Sequence, residues 1–311
     1  MTLDELHRHA RAAVAKLTGS TSVASPTLSV ADIPISAAGH AVTGQFRLAS
    51  GDAAVPGTVP RGFRGRLFQL RFAFGKRYRS CQITIAPSLA RALSALFTKE
   101  GSVRVGEPLM HALATLIHEE FHAVHYVGWP GLVQDRVLET PGVRQLTEGI
   151  IELGVEQLLP SILPELGLGG LKTVVRFLQT RRAYVAQHEA ARALIDHIAA
   201  LERAPATSVL TRVLKYGSGM IALRTLAHDV ARARDIANRI PDWRWKLARF
   251  QPELPLGPER QIVREIVAPF EDLAGWFGNT DDVFGDTASE KGRRASSTAI
   301  HQLDDFIRTA A

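Results

Sequence analysis

The sequence lacks the features that mark secreted and membrane-spanning proteins. Cys81 is the only cysteine among 311 residues, so no internal disulfide can form and nothing indicates an oxidising compartment. No uninterrupted apolar run reaches the roughly 18 residues of a membrane-spanning helix, and residues 1–17 contain Asp4 and Glu5, which a secretory signal would lack. We therefore expect no membrane span and a cytoplasmic location, with signal-independent export left open.

Long basic runs and phosphate-binding loops are also missing. The formal net charge of +6 comes mostly from arginines scattered along predicted helices, without a basic run or interleaved aromatic residues. The small residues Gly217, Ser218 and Gly219 are not part of a GxxxxGK[ST] pattern, so they indicate close helix packing or a kink rather than a phosphate site. Nucleic acid is therefore not an expected partner.

What the chain does contain is enough apolar sequence for a sizeable core, since 46% of its residues are hydrophobic. The N-terminal part predicts an amphipathic helix over 1–17, then strands, then a helix over 87–97. Nearly everything after that predicts helix. The predicted strands are 28–33, 42–48, 66–74 and 78–86, and the later predicted helices are 106–128, 140–159, 171–204, 208–240, 258–277 and 299–308, with 278–298 as a mobile polar segment.

The residues with the clearest catalytic or metal-binding pattern lie in the predicted helix 106–128. There His118, Glu119 and His122 form the pattern HExxH, which on a helix places two imidazoles one turn apart on one face beside a carboxylate. The surrounding positions are strongly apolar, and buried histidines and carboxylates are costly unless they are paired or bind a metal. The pattern therefore predicts a zinc ion bound by His118 and His122, with Glu119 as a general base.

The following predicted helix offers a third ligand. Glu148 and Glu152 are four residues apart and share a face, and Gly149 between them would let another backbone come close. We assign Glu148 to the zinc and Glu152 to a hydrogen bond that orients one of the ligand histidines. Asp135 and Glu139 stay open as alternative third ligands.

Taken together, these two helices resemble the gluzincin group of zinc metallopeptidases, over about residues 106–159. The resemblance implies an α+β, zincin-like fold with a small N-terminal mixed or antiparallel sheet, the HExxH helix and a mostly helical C-terminal lobe. We therefore divide the chain into 1–105, 106–159, 160–277 and 278–311. The last strand before the helix would then be an exposed sheet edge that binds substrate, with Thr84 in residues 82–85 as the substrate-binding candidate.

The function implied is hydrolysis of a peptide or protein substrate by zinc-activated water, with Glu119 accepting the proton. A further donor should stabilise the oxyanion, and the candidates are Tyr184, His188 and Tyr216, with Tyr184 as first choice. Two alternatives remain open. One is a non-catalytic, zincin-like binding or assembly module with a structural zinc. The other is a toxin or processing protease held inactive by a terminal segment, which trimming that segment would test.

Overall fold

The computed structural model describes part of the chain, and every structural statement below concerns that part. The predicted strand 66–74, the small residues 217–219 and the alternative ligands Asp135 and Glu139 lie outside it. The described residues are 1–19, 27–33, 44–49, 80–96, 107–127, 141–171, 184–216, 226–227, 229–230, 260–279 and 287–310.

Within these residues, one helix is followed by three short strands, and helices follow without further strands. None of the described helices is both long and apolar enough to cross a membrane. The strands are β1 (Thr27–Val30), β2 (Gly44–Ala49) and β3 (Ser80–Ile85). The helices are α1 (Leu3–Thr18), α2 (Pro87–Ser94), α3 (Glu107–Val127), α4 (Pro141–Glu165), α5 (Val185–Glu202), α6 (Ala206–Tyr216), α7 (Arg260–Asn279) and α8 (Ala288–Ala310).

The three strands form one small sheet with β3 at its centre. β1 pairs with β3 in parallel and β2 pairs with β3 in antiparallel register. Ile83 and Ile85 of β3 are fully buried, and the Ser29 and Thr84 hydroxyls lie 2.9 Å apart across β1 and β3. Because β3 has a strand on each side, the prediction that residues 82–85 form an exposed sheet edge is wrong.

The predicted α+β, zincin-like fold class is also wrong. The strands contain only four, six and six residues, and most of the other described residues are helical. The described chain is therefore mostly helical, with a small mixed sheet. Short apolar runs bounded by turn residues predict strands locally, but they do not show how far those strands pair.

Internal contacts divide the chain into two compact units. The first comprises Met1–Asp135 with Val155–Arg181, and the second comprises Arg136–Gly154 with Arg182–Ala311. Helix α4 contributes residues to both. The boundaries predicted from sequence, after residues 105, 159 and 277, stay predictions.

In the first unit, α3 is the element against which the others pack. It contacts α1, α2, β2 and β3, which explains why so many positions around its circumference are apolar. Its bounds agree with the predicted helix 106–128. The fully buried apolar side chains of α3 include Met110, Leu113, Leu116, Ile117 and Phe121.

Helix α4 is longer than its sequence predicts, because it continues past residue 159 to Glu165 through Pro160 and Pro164. Each proline removes one backbone donor, but the leucine and isoleucine side chains around them are buried and hold the helix together. The helix ends where Gly167 adopts a φ of 73° and Leu168 N–H donates to the Leu163 carbonyl at 2.8 Å, a Schellman-type stop.

In the second unit, α5 and α8 pack closely through small residues. A Cβ on Gly292 of α8 would lie 2.0 Å from the Ala186 carbonyl oxygen of α5. Ser296 donates its hydroxyl proton to the Ala190 carbonyl at 3.1 Å. The prediction of a mobile polar segment over 278–298 is therefore wrong from residue 288 onward. Small side chains contribute little hydropathy, so the packing face of α8 did not appear apolar in the sequence.

Helix α5 begins later than predicted. The sequence predicts one helix over 171–204, whereas Tyr184 has φ −123° and ψ 63° and directly precedes the first helical residue, Val185. The helix ends at Glu202, and the next residue, Arg203, is a non-glycine residue in the left-handed region with φ 53°. The first turn of α5 contains Gln187, which lies against Gly149 of α4.

Candidate metal centre

Helix α3 presents the two histidines of the HExxH pattern on one face, as residues four apart on a helix must be. His118 and His122 are only 9% and 6% exposed. Their Nε2 atoms lie 3.1 Å apart, and their ring planes are inclined by 65°. Two ring nitrogens therefore converge on one point inside the protein.

Glu148 of α4 completes the group. One carboxylate oxygen of Glu148 and one nitrogen of each histidine all lie within 4.8 Å of one another. Glu148 is itself 8% exposed. The protein therefore contains a His118, His122 and Glu148 group that could hold a metal ion.

The donor set of this group fits zinc. Two imidazole nitrogens and one carboxylate oxygen are the ligand types of catalytic zinc sites, which keep a fourth position for water or substrate. Two ligands about 2.0–2.1 Å from a tetrahedral ion stand roughly 3.3–3.4 Å apart. The 3.1 Å between the histidine nitrogens is close to that spacing, so the two imidazoles would need little movement to bind the ion. The three candidate ligand atoms together span up to 4.8 Å, so the Glu148 carboxylate would have to move closer to the histidines.

Glu119 follows His118 directly on α3 and is 5% exposed. A carboxylate taken out of water is costly unless it is paired with a charge or a hydrogen-bond donor. Because Glu119 is bonded to His118, its backbone stays next to the histidine pair. The arrangement therefore supplies three residues that could hold a metal ion and one further buried carboxylate.

The neighbouring Glu120 points to α1 instead. It is fully buried, and its carboxylate pairs with Nδ1 of His7 on α1. Burial raises the pKa of Glu120 above its ordinary value of 4.5, against the lowering effects of the His7 hydrogen bond and charge and of the Arg11 charge. The pair joins α1 to the helix that carries the two histidines.

Gly149 is where α5 comes closest to α4. A Cβ on Gly149 would lie 2.3 Å from the Gln187 carbonyl oxygen and 2.4 Å from its carbonyl carbon. The prediction that Gly149 allows another backbone to come close is therefore confirmed. Since Gly149 follows Glu148, the first turn of α5 lies against the turn of α4 that carries Glu148.

The candidates for stabilising the oxyanion and for orienting a ligand histidine lie on or beside α4, α5 and α6. Tyr184 is half-buried immediately before α5, and His188, 1% exposed, donates its backbone N–H to the Tyr184 carbonyl at 2.8 Å. Glu152 is half-buried one turn after Glu148, and the Tyr216 side chain is outside the described residues. The oxyanion and ligand-orienting roles stay predictions.

Thr84 does not have the surroundings that its predicted role requires. It pairs with Ser29 on one side and with Gln45 on the other, so its main chain is already engaged in the sheet. Substrate cannot add to β3 as an extra strand. The reason is tertiary, since the sequence pattern of β3 is the same for an edge strand and a central one.

Sequence reasoning missed Gln187. Its side chain is 1% exposed, and neither Oε1 nor Nε2 has a hydrogen-bond partner among the described residues. The signal was available, because Gln187 shares a helical face with Ala191, Leu194 and Ile198, all of them buried. A lone carboxamide on such an apolar face is a candidate for a binding role.

Comparisons with models of known families, with curated proteins and with solved structures found no match to this chain.

Proposed function

We propose that this protein is a zinc-dependent metallopeptidase in which His118, His122 and Glu148 hold the ion and Glu119 is the general base. The observation that carries the proposal is the convergence of the three ligand atoms within 4.8 Å, with the buried carboxylate of Glu119 next to the first of them in sequence. The donor set favours zinc. The order of ligands, HExxH followed by a glutamate on a later helix, resembles that of gluzincins, although the fold class does not.

The chain's own residues would do the following. Water adds to the carbonyl carbon of the scissile amide while the Glu119 carboxylate takes one of its protons. The C–N bond then breaks, and Glu119 passes the proton to the departing nitrogen, which leaves a carboxylic acid and an amine. A bound zinc ion supplies Lewis acidity, which polarises the substrate carbonyl and makes water a better nucleophile near neutral pH.

Burial of the group supports a second candidate, a non-catalytic metal-binding module. His118, Glu119, His122 and Glu148 are each 9% exposed or less. A metal that only fastens helices needs no access for substrate, whereas a catalytic metal does. Against this, a structural zinc normally has four protein ligands, and the described group offers three.

Zinc stoichiometry tests the metal centre. Elemental analysis of the purified protein should find one zinc per chain, and Glu148→Gln should lose it while circular dichroism stays unchanged. Glu165→Gln is the matched control on the same helix, since Glu165 is 44% exposed in an ion pair with Lys16 and its loss should cost less than about 1 kcal/mol. Full zinc content in the Glu148 variant would exclude it as a ligand.

Turnover of a mixed peptide library distinguishes the two candidates. Glu119→Gln should keep its zinc and lose about 10²- to 10⁴-fold in kcat/KM, the usual contribution of a general base. A zinc-loaded wild type that cleaves no peptide under these conditions would favour the non-catalytic module. A Glu119 variant with full activity would remove Glu119 from the mechanism.

A further inference from the structure

The carboxamide of Gln187 is the least satisfied buried polar group of the second unit among the described residues. Both of its polar atoms are shielded from solvent, and neither is hydrogen-bonded within that part of the chain. Gln145 and Gln157 of α4 each lack a partner for Oε1 only, and both are half-buried. Native proteins satisfy nearly all of their buried polar groups, so each exception needs an explanation.

The fold does not require a glutamine at this position. A buried carboxamide without partners costs stability, because it gives up its hydrogen bonds to water and receives none in return. Methionine has a similar length and volume and would fill the same space without this cost. Among the described residues, the carboxamide therefore makes no hydrogen bond that an apolar side chain would lose.

The place of Gln187 suggests what its partner is. Its Cβ would be 2.8 Å from a Cβ on Gly149, so the side chain starts from the line of contact between α4 and α5. Glu148, the proposed third zinc ligand, is the residue before Gly149. Gln187 therefore contacts α4 at the residue next to Glu148, whose carboxylate would hold the metal that activates the scissile carbonyl.

We propose that the Gln187 carboxamide binds the main chain of an extended peptide substrate, an inference that rests on the proposed metallopeptidase function. An extended residue directs its N–H and C=O to the same side. A carboxamide offers one acceptor oxygen and an NH₂ donor side by side, so it can accept from that N–H and donate to that C=O. This contact gives recognition of the main chain independent of side chains, the role that sequence analysis assigned to the β3 edge and that the pairing of β3 excludes.

Hydroxamate binding tests the inference without relying on turnover. The zinc-loaded protein is titrated calorimetrically with acetohydroxamate, which offers only a metal-binding group, and with acetyl-dialanyl hydroxamate, which adds two peptide units. Gln187→Met should bind the peptidyl compound about tenfold more weakly, as expected for the loss of one or two hydrogen bonds. Its zinc content and its affinity for acetohydroxamate should match those of the wild type.

Gln157→Met is the matched control, because it makes the same change at another incompletely bonded glutamine. It should bind both compounds as the wild type does. The melting temperature of metal-free Gln187→Met should be equal to or above that of the wild type, since the variant loses two unsatisfied polar atoms. Gln187→Leu is a second apolar replacement, and it should show the same changes in hydroxamate binding as Gln187→Met.

The failures are distinguishable. A wild type that binds the peptidyl compound, with both Gln187 variants binding it equally well, overturns the inference and leaves the proposed function standing. Equal weakening of both hydroxamates also overturns it, because the residue would then act on the metal group and not on the peptide. A zinc-loaded wild type that binds neither compound overturns the proposed function and the inference with it.

Discussion

Replacement of Gly149 by alanine would place a methyl group where there is no room for it. The new Cβ would be 2.3 Å and 2.4 Å from the carbonyl oxygen and carbon of Gln187, and 2.8 Å from its Cβ. Non-bonded heavy atoms prefer separations of about 3.5–4.0 Å. The nearest atoms belong to the backbone of α5, so no change of rotamer can relieve the overlap, and the two helices must move apart by about 1 Å.

The magnitude follows from two opposing terms. Overpacking of a close contact costs about 1–3 kcal/mol and occasionally more, and a clash between backbones should lie at the upper end. Alanine in place of glycine within a helix raises the free energy of unfolding by about 1 kcal/mol. We therefore expect Gly149→Ala to lower the free energy of unfolding by about 2 kcal/mol. With an unfolding entropy of about 2.1 cal/mol/K per residue, this corresponds to roughly 3 °C in Tm for a chain of 311 residues.

Thermal unfolding of the metal-free protein, followed by circular dichroism, measures the change. Gly275→Ala in α7 is the control, because a Cβ at Gly275 would have nothing within 4 Å, and this variant should be up to about 1 kcal/mol more stable. If Gly149→Ala melts at or above the wild-type temperature while the control behaves as expected, the close approach of α5 to Gly149 is not a feature of the molecule.

Three further predictions concern packing elsewhere, and chemical denaturation checks each of them. His7→Ala should cost about 3–5 kcal/mol, because it leaves the buried Glu120 carboxylate without the imidazole, whereas replacing both residues by leucine should be nearly neutral; a single variant as stable as the double one would contradict this. Gly292→Ala should cost about 2 kcal/mol for the same reason as Gly149→Ala, since the Cβ would meet the Ala186 carbonyl oxygen at 2.0 Å, and an unchanged midpoint would refute the close packing of α5 on α8. Thr84→Pro should lower the free energy of unfolding by about 1–3 kcal/mol for each backbone hydrogen bond that it breaks in the central strand. A variant as stable as the wild type would show that Thr84 lies on an edge strand instead.

Several features of this protein follow from local sequence. The i, i+4 spacing of His118 and His122 places both imidazoles on one face of any helix they occupy. The predicted helix 106–128 agrees with α3 to within a residue at each end. Gly149 beside a glutamate indicates a close backbone contact. These inferences succeed because they depend on helix geometry and on the size of one side chain, which are properties of neighbouring residues.

Other features depend on which distant residues meet. The sequence nominated Glu148 among three acids, but only the fold brings its carboxylate within 4.8 Å of the histidine nitrogens. The central place of β3 depends on a partner strand that lies more than 30 residues earlier in the chain, at Gly44–Ala49. An alternating pattern records which face of a strand is buried and contains no information about its neighbours.

What the sequence by itself determined is therefore the chemistry of α3: two imidazoles and a carboxylate held on one helix by its fixed rise and turn. The tertiary structure alone decided that β3 is a central strand and that α8 packs on α5 through Gly292. It also decided that the Gln187 carboxamide is buried beside the turn of α4 that carries Glu148. Helix periodicity is set by bonds between residues four apart, whereas these three outcomes depend on van der Waals fit between segments that the sequence does not place next to each other.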